Sequence, residues 1–111
     1  MLPLVAVAVL EYLDPAGRSP YAEWFNGLDA QAAAKVAIAV TRLGQGNFSN
    51  VKTVGGGVME YKVNFGPGYR IYFGKDGDRL VILIGGGTKQ RQRNDIQTAR
   101  ARWADYKKRR K

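Results

Sequence analysis

Apolar residues along this chain change spacing several times, and each change marks an element. Val5 to Tyr12 is rich in β-branched residues and predicts a first, buried strand, closed by the turn-forming Asp14-Pro15-Ala16-Gly17. Ser19-Pro20 then starts a helix, with Ser as the N-cap and Pro at the first helical position. Tyr21, Trp24, Phe25 and Leu28 recur at i, i+3, i+4 and i+7, one apolar helix face. Asp29 caps a second helix, whose stripe is Ala33, Val36, Ala37, Val40 and Leu43 before Gly44-Gln45-Gly46 ends it. The short connection between the two predicts a helical hairpin.

After Asn50 the period drops to two. Val58 to Phe65 places Met59, Tyr61, Val63 and Phe65 on one side and Glu60, Lys62 and Asn64 on the other. Gly66-Pro67-Gly68 predicts a turn, and Tyr69 to Phe73 the returning strand, with Phe65 facing Tyr69 and Val63 facing Ile71. That register gathers Glu60, Lys62, Asn64, Arg70 and Tyr72 on the face opposite the core, an outer surface. Leu80 to Ile84 is an unbroken apolar run, as expected of a strand covered on both faces, and Gly85-Gly86-Gly87 is expected to end it. A last helix starts near Lys89, with Ile96, Ala99, Trp103 and Tyr106 as its buried seam. It trails into Lys107-Lys108-Arg109-Arg110-Lys111. The order β-α-α-β-β-β-α predicts one α+β domain over residues 1–111. Its sheet is four-stranded and mainly antiparallel, with an N-terminal helical hairpin and a C-terminal helix.

Composition narrows the chemistry. The 111 residues contain no Cys and no His, which excludes disulfides, thiolate metal sites and Ser-His-Asp or Cys-His nucleophiles. No metal site and no cofactor motif is expected. The net charge of +9 is unevenly placed: residues 1–50 carry three basic and four acidic side chains, residues 51–111 fifteen and five. Such a one-sided field is the footprint of a polyanion binder. The apolar run Leu2 to Leu10 has no preceding Lys or Arg and is too short to span a membrane, so a cytoplasmic protein without a membrane partner is expected.

The stretches Gly56-Gly57-Val58-Met59-Glu60-Tyr61-Lys62, Gly66-Pro67-Gly68-Tyr69-Arg70-Ile71-Tyr72-Phe73 and Gly86-Gly87-Thr88-Lys89 with Gln92, Asp95 and Ile96 resemble the RelE/ParE toxin superfamily. The likeness is to its HigB-like addiction module killer protein branch. It extends upstream through Gly17-Arg18-Ser19-Pro20, Trp24 and Gly46-Asn47-Phe48. The resemblance implies a toxin neutralised by a cognate antitoxin, often a helix-turn-helix protein, and metal-free cleavage of mRNA on the ribosome. Two departures stand out: Lys62 where the family often has Arg, and Gly87-Thr88 where acidic residues are common.

Metal-free RNA cleavage needs a base for the 2′-hydroxyl, cations for the phosphate and an acid for the leaving 5′-oxygen. Without histidine, the candidates for the base are Glu60 and a lysine with a depressed pKa, Lys52 or Lys62. Arg70 suits phosphate oxygens through its fork. Lys89 is a second cation or proton donor, and Tyr72 a stacking surface or proton donor. Asn64, Arg91, Gln92, Arg93, Lys107, Lys108 and Arg109 are the expected flanking RNA contacts. Asp95 is expected to satisfy backbone donors at a helix end, and Trp24 and Trp103 to lie in the core. Two rival functions share this fold: a ParE-like inhibitor that binds DNA gyrase without chemistry, and a nucleic-acid-binding module without toxicity.

Overall fold

A computed structural model of the chain describes residues 7–78 and 80–110. Its elements run β1 (Ala8–Glu11), α1 (Pro20–Asn26), α2 (Ala30–Gly44), β2 (Val51–Gly55), β3 (Val58–Val63), β4 (Tyr69–Lys75) and β5 (Leu80–Thr88). A 3-10 turn over Lys89–Arg91 then leads into α3 (Gln92–Arg109). The strands form one mixed sheet in the order β1-β5-β4-β3-β2, with β1 parallel to β5 and the other neighbours antiparallel. The α+β class is as expected, but the sheet has five strands rather than four.

The additional strand is β2. Its Val-Lys-Thr-Val-Gly sequence is short, and the glycines that follow read as loop. They instead make a two-residue hairpin turn, in which Gly56 and Gly57 take φ of +64° and +83°. A turn with positive φ at both central residues matches the twist of the strands it joins, and glycine adopts it without strain. The expected first strand also needs correction: Ala8–Glu11 is an edge strand, mostly exposed, with Leu10 at 54%. Val5 and Ala6 lie outside the described residues.

Helix starts follow the sequence. The Ser19 hydroxyl accepts from Ala22 N–H at 3.0 Å, and the Asp29 carboxylate accepts from Ala32 N–H at 2.9 Å. The buried line of α2 is Ala32, Val36, Ala39 and Leu43, rotated from the expected stripe; Ala37 is exposed. Alanines on several faces leave little contrast by which the pattern can choose between them.

The β3–β4 register is Val63 opposite Tyr69, Tyr61 opposite Ile71 and Glu60 opposite Tyr72, two residues from the expected pairing. The turn is longer than Gly-Pro-Gly, because Phe65 N–H bonds back to Val63 O and Gly68 N–H to Phe65 O, each at 3.0 Å. A slip of two keeps every side chain on its face, so the expected partition survives the wrong register.

What does not survive is the outer surface. One face of the sheet packs Tyr61, Val63, Tyr69, Ile71, Phe73, Val81 and Leu83 against α1 and α2. The other face, expected to be wet, packs Val58, Tyr72, Ile82 and Ile84 against Ala99 and Trp103 of α3. Glu60, Arg70 and Tyr72 are therefore buried. The expected seam of α3 is right; the sheet face it covers is the one the charges occupy.

β5 also runs on through Gly85–Gly87 to Thr88. These glycines give room rather than an end: the Trp24 ring lies on Gly86, and the Asp95 carboxylate on Gly87. Gly74 does the same for Trp103. Among the described residues no helix is long and apolar enough to cross a membrane. At Gly74 a Cβ would lie 2.5 Å from the Trp103 ring. Gly74→Ala is expected to lower stability by about 1–3 kcal/mol, the usual cost of overpacking, read as a shift in the urea midpoint.

Candidate active site

Cross-strand pairing sets two rows of side chains under α3. Lys52 of β2, Glu60 of β3, Tyr72 of β4 and Gly85 of β5 form one row; Lys62, Arg70 and Gly87 form the next. The start of α3 lies across them. Glu60 is 1% exposed, and its Oε2 accepts a hydrogen bond from Gln92 Nε2 at 2.8 Å. Around its Oε1 stand two cations, Lys52 Nζ at 3.6 Å and Arg70 Nε at 3.9 Å. Both distances are those of charges facing one another, too long for hydrogen bonds.

Glu60 Oε1, Arg70 Nε and Arg70 Nη1 are buried and have no hydrogen-bond partner among the described residues. Leaving a buried polar group unpaired costs about 1–3 kcal/mol, more for charged groups. Glu60 Oε1 and Arg70 Nε face one another unbonded, an acceptor and a donor that a ligand carrying both a donor and an anionic acceptor would satisfy. The Tyr72 hydroxyl beside them is likewise buried and unpartnered among the described residues. Burial, reinforced by the Glu60 and Asp95 carboxylates, pushes its pKa well up, so the phenol keeps its proton. With 1% of its surface exposed, Tyr72 offers no face for base stacking, which corrects that expectation.

The rim is basic and open. Lys52 is 65% exposed along its side chain; Lys62, Asn64, Lys89, Arg91 and Arg93 are exposed as well. The Lys89 N–H donates to Gly68 O at 2.9 Å, which holds the 3-10 turn beside the loop that leads to Arg70. Neither this turn nor α3 has a side-chain cap among the described residues. The Gln92 N–H is taken by Lys89 O, so the turn runs directly into the helix, whose start carries the positive end of the helix dipole.

The site thus brings together Lys52, Glu60, Arg70, Tyr72 and Gln92, ringed by Lys62, Lys89, Arg91 and Arg93, whereas Asn64 lines a concavity with Lys35, Ala39 and Arg42 of α2. Gln92, expected as an RNA contact, is bound to Glu60. Lys107, Lys108 and Arg109 sit elsewhere. An 18-residue helix is about 27 Å long at 1.5 Å per residue, which puts them at the far end of α3. There Arg109 pairs with Asp105 and donates to Leu13 O, and Lys107 lies 6.0 Å from the Trp103 ring. Lys111 lies outside the described residues.

Asp95 departs from its expected role. Although it lies in the first turn of α3, no backbone donor among the described residues is bonded to it, and its carboxylate rests on Gly87 of the sheet. Its Oδ2 is buried without a partner among the described residues. Burial raises its pKa, while Arg91 and Arg102 pull it down less strongly.

The model of the family described as Phage derived protein Gp49-like (DUF891) matches residues 23–104. An uncharacterised protein of Haemophilus influenzae is 38% identical over 78 residues, which cover 69% of this chain and 79% of the relative. The residues matched by the family model include the whole of the site and leave out Lys107 to Arg109.

Two stability measurements test this geometry. Glu60→Ala strands the buried Arg70 and is expected to cost on the order of 3 kcal/mol, whereas Lys52→Ala should cost less than about 1 kcal/mol. Urea unfolding of both variants compares them directly. For Asp95 the folded pKa lies above the unfolded one, so the unfolded chain loses its proton first and stability falls as pH rises through that window. Asp95→Asn is therefore expected to be more stable than the parent at neutral pH. The gain should shrink below about pH 4, where the aspartate is protonated in both states.

Proposed function

The chain belongs to the phage-derived Gp49-like family, which shares the RelE/ParE-like toxin fold. From that membership and the site together, we propose that it is a toxin that cuts mRNA on the ribosome without a metal. The observation that carries this reading is the buried Arg70 guanidinium, with two donors unpaired among the described residues, facing the free oxygen of Glu60. A guanidinium so held is preorganised for phosphate oxygens, and its desolvated charge acts at low local dielectric.

In this reading Glu60 Oε1 accepts the proton of the 2′-hydroxyl as that oxygen attacks phosphorus. Arg70 and Lys52 stabilise the charge on the phosphate oxygens. The bond to the 5′-oxygen breaks as Lys89, at the rim, supplies the leaving group's proton. A cyclic phosphate and a free 5′-hydroxyl result. Tyr72 keeps its proton and walls the carboxylate from water. The Gln92 amide holds the other carboxylate oxygen, Oε2, and so aims Oε1 at the sugar hydroxyl. Its helix start, without a side-chain cap among the described residues, is the part of the cover that yields to an incoming strand. Lys62, Arg91 and Arg93 hold the strand by its backbone. A co-encoded antitoxin, of the helix-turn-helix kind, is the expected neutralising partner.

Primer extension on mRNA from a bacterial cell-free translation reaction tests the proposal. The parent protein should produce ribosome-dependent cuts. Glu60→Gln should slow them by about 10²-fold or more, the lower end of general-base catalysis. Arg70→Lys keeps the charge but loses the fork, and is expected to slow cutting by about 10²-fold as well, with near-UV circular dichroism unchanged. Intact mRNA with translation unaffected would sink the reading; inhibited DNA supercoiling would then point to gyrase.

A further inference from the structure

Beside the site, across Tyr72, lies a second concavity that the cleavage chemistry does not use. β1 pairs with Leu80–Leu83, and among the described residues no strand lies on that side of Ile84–Thr88. The gap at this open edge is flanked by α1 on one face of the sheet and α3 on the other, and encloses about 260 Å³. At about 30 Å³ per water, that is the space of eight or nine solvent molecules, room for one planar heterocycle. Gly85 and Gly86 form its floor, and Trp24, Arg91, Asp95 and Arg102 its walls.

The walls are matched to a particular ligand chemistry. Trp24 is half-buried and rests on Gly86, so its indole is held rigidly at the mouth. Asp95 and Tyr72 line the same space, and the Asp95 Oδ2 and the Tyr72 hydroxyl are buried, neither with a partner among the described residues. Arg102 donates to Ile84 O at 3.4 Å and stands at the side, as Arg91 does near the exposed end. An aromatic face, an acceptor-only carboxylate and two guanidinium groups together describe a nucleotide, with its base inside and its phosphate at the arginines. A carboxylate accepts from N–H groups. Of the four RNA bases, guanine alone presents two adjacent donors, N1–H and the 2-amino group, on its pairing edge. An antitoxin peptide adding to the open strand edge would need neither the arginines nor the unpaired acid.

We propose that this cleft is a guanine-binding subsite, in which Asp95 reads the pairing edge of a flipped-out base, Trp24 stacks on it and Arg91 and Arg102 hold its phosphate. The inference rests on the reading of the chain as an RNA-directed toxin, and it gives that toxin a sequence preference. Tyr72 is a common wall of the two places, so the base read is the one next to the phosphate at Arg70. The subsite also accounts for a carboxylate kept buried and unpaired: guanine donors satisfy it on binding, and discrimination comes from the cost of leaving it unsatisfied otherwise.

The test uses the isolated full chain, labelled with nitrogen-15 and titrated with guanosine, adenosine, cytidine and uridine 5′-monophosphates. The guanine nucleotide should bind at least about tenfold tighter than the other three, the worth of one charge-assisted hydrogen bond. Shifts should fall on Gly86, Asp95, Thr98 and the Trp24 indole, with the Trp103 indole unmoved. Asp95→Asn, expected to fold at least as stably, should level the four affinities. Equal binding of the four, no binding, a guanine preference that persists in Asp95→Asn, or shifts confined to Lys52 and Lys62 would each overturn the proposal. A guanine preference in a protein that leaves mRNA intact keeps the subsite and sinks the nuclease. Ribosome-dependent cuts by a protein without that preference do the reverse.

Discussion

A carboxylate and a guanidinium taken out of water between a sheet and a helix impose demands on everything around them. Glu60 and Arg70 are almost fully buried, and the attraction between them across 3.9 Å is not completed by a hydrogen bond. Desolvating such a pair costs several kcal/mol per ion before any compensation. The compensation here comes from three directions. Gln92 satisfies one oxygen of Glu60, the exposed Lys52 brings a second positive charge within 3.6 Å, and the apolar packing of Ala99 and Trp103 on Val58, Ile82 and Ile84 keeps the helix over the site. The fold carries charges it would be more stable without, the usual mark of a site kept for binding or chemistry rather than stability.

Much of this was legible in the sequence, and the failures share a cause. Alternation along Val58–Val63 and Tyr69–Phe73 put Glu60, Lys62, Arg70 and Tyr72 on one face, and because that reading depends on parity it withstood a register wrong by two. Ser19 and Asp29 announced their helices through side-chain oxygens, a local chemistry the rest of the fold does not override. Alternation gives the partition between faces but does not say what covers each face. A row of Glu, Lys, Arg and Tyr reads as wet, and only the docking of α3 reveals it as an interior. The same gap hid the bond between Gln92 and Glu60, since residues 32 apart meet through packing and not through spacing. Asp95 was misread because its carboxylate turns onto Gly87 of the sheet, where the missing side chain leaves it room, rather than back onto its own helix.

The glycines were the most misleading letters. In the pattern, Gly55–Gly57 falls in a stretch given no element, and Gly85–Gly87 reads as the end of a strand. In the fold, the first group is a hairpin turn with positive φ, and the second is strand whose missing side chains admit Trp24 and Asp95. An absent Cβ leaves no hydrophobic signal, yet it decides where a ring or a carboxylate can rest on a sheet. β2 escaped notice for the same reason, and with it the fact that Lys52 stands directly opposite Glu60.

The charge asymmetry of the chain now has a structural meaning. The first fifty residues, near neutral, supply α1, α2 and the edge strand, which support the sheet from one side. The later residues supply the four strands and the helix between which the ionisable groups lie. Positive charge at the rim of Lys52, Lys62, Lys89, Arg91 and Arg93 makes the potential at the start of α3 favourable to anions, an attraction that salt screens. Inside, Arg70 is fixed by burial and is hardly screened. The exposed rim and the buried pair are thus separated by one turn of helix, held over Glu60 by the bond from Gln92 to its carboxylate and by the Lys89 N–H on Gly68 O. A hydrogen bond to a charged group contributes about 1.5–3 kcal/mol, so the Gln92 bond fixes the helix start over the carboxylate more firmly than a neutral one of about 1 kcal/mol would.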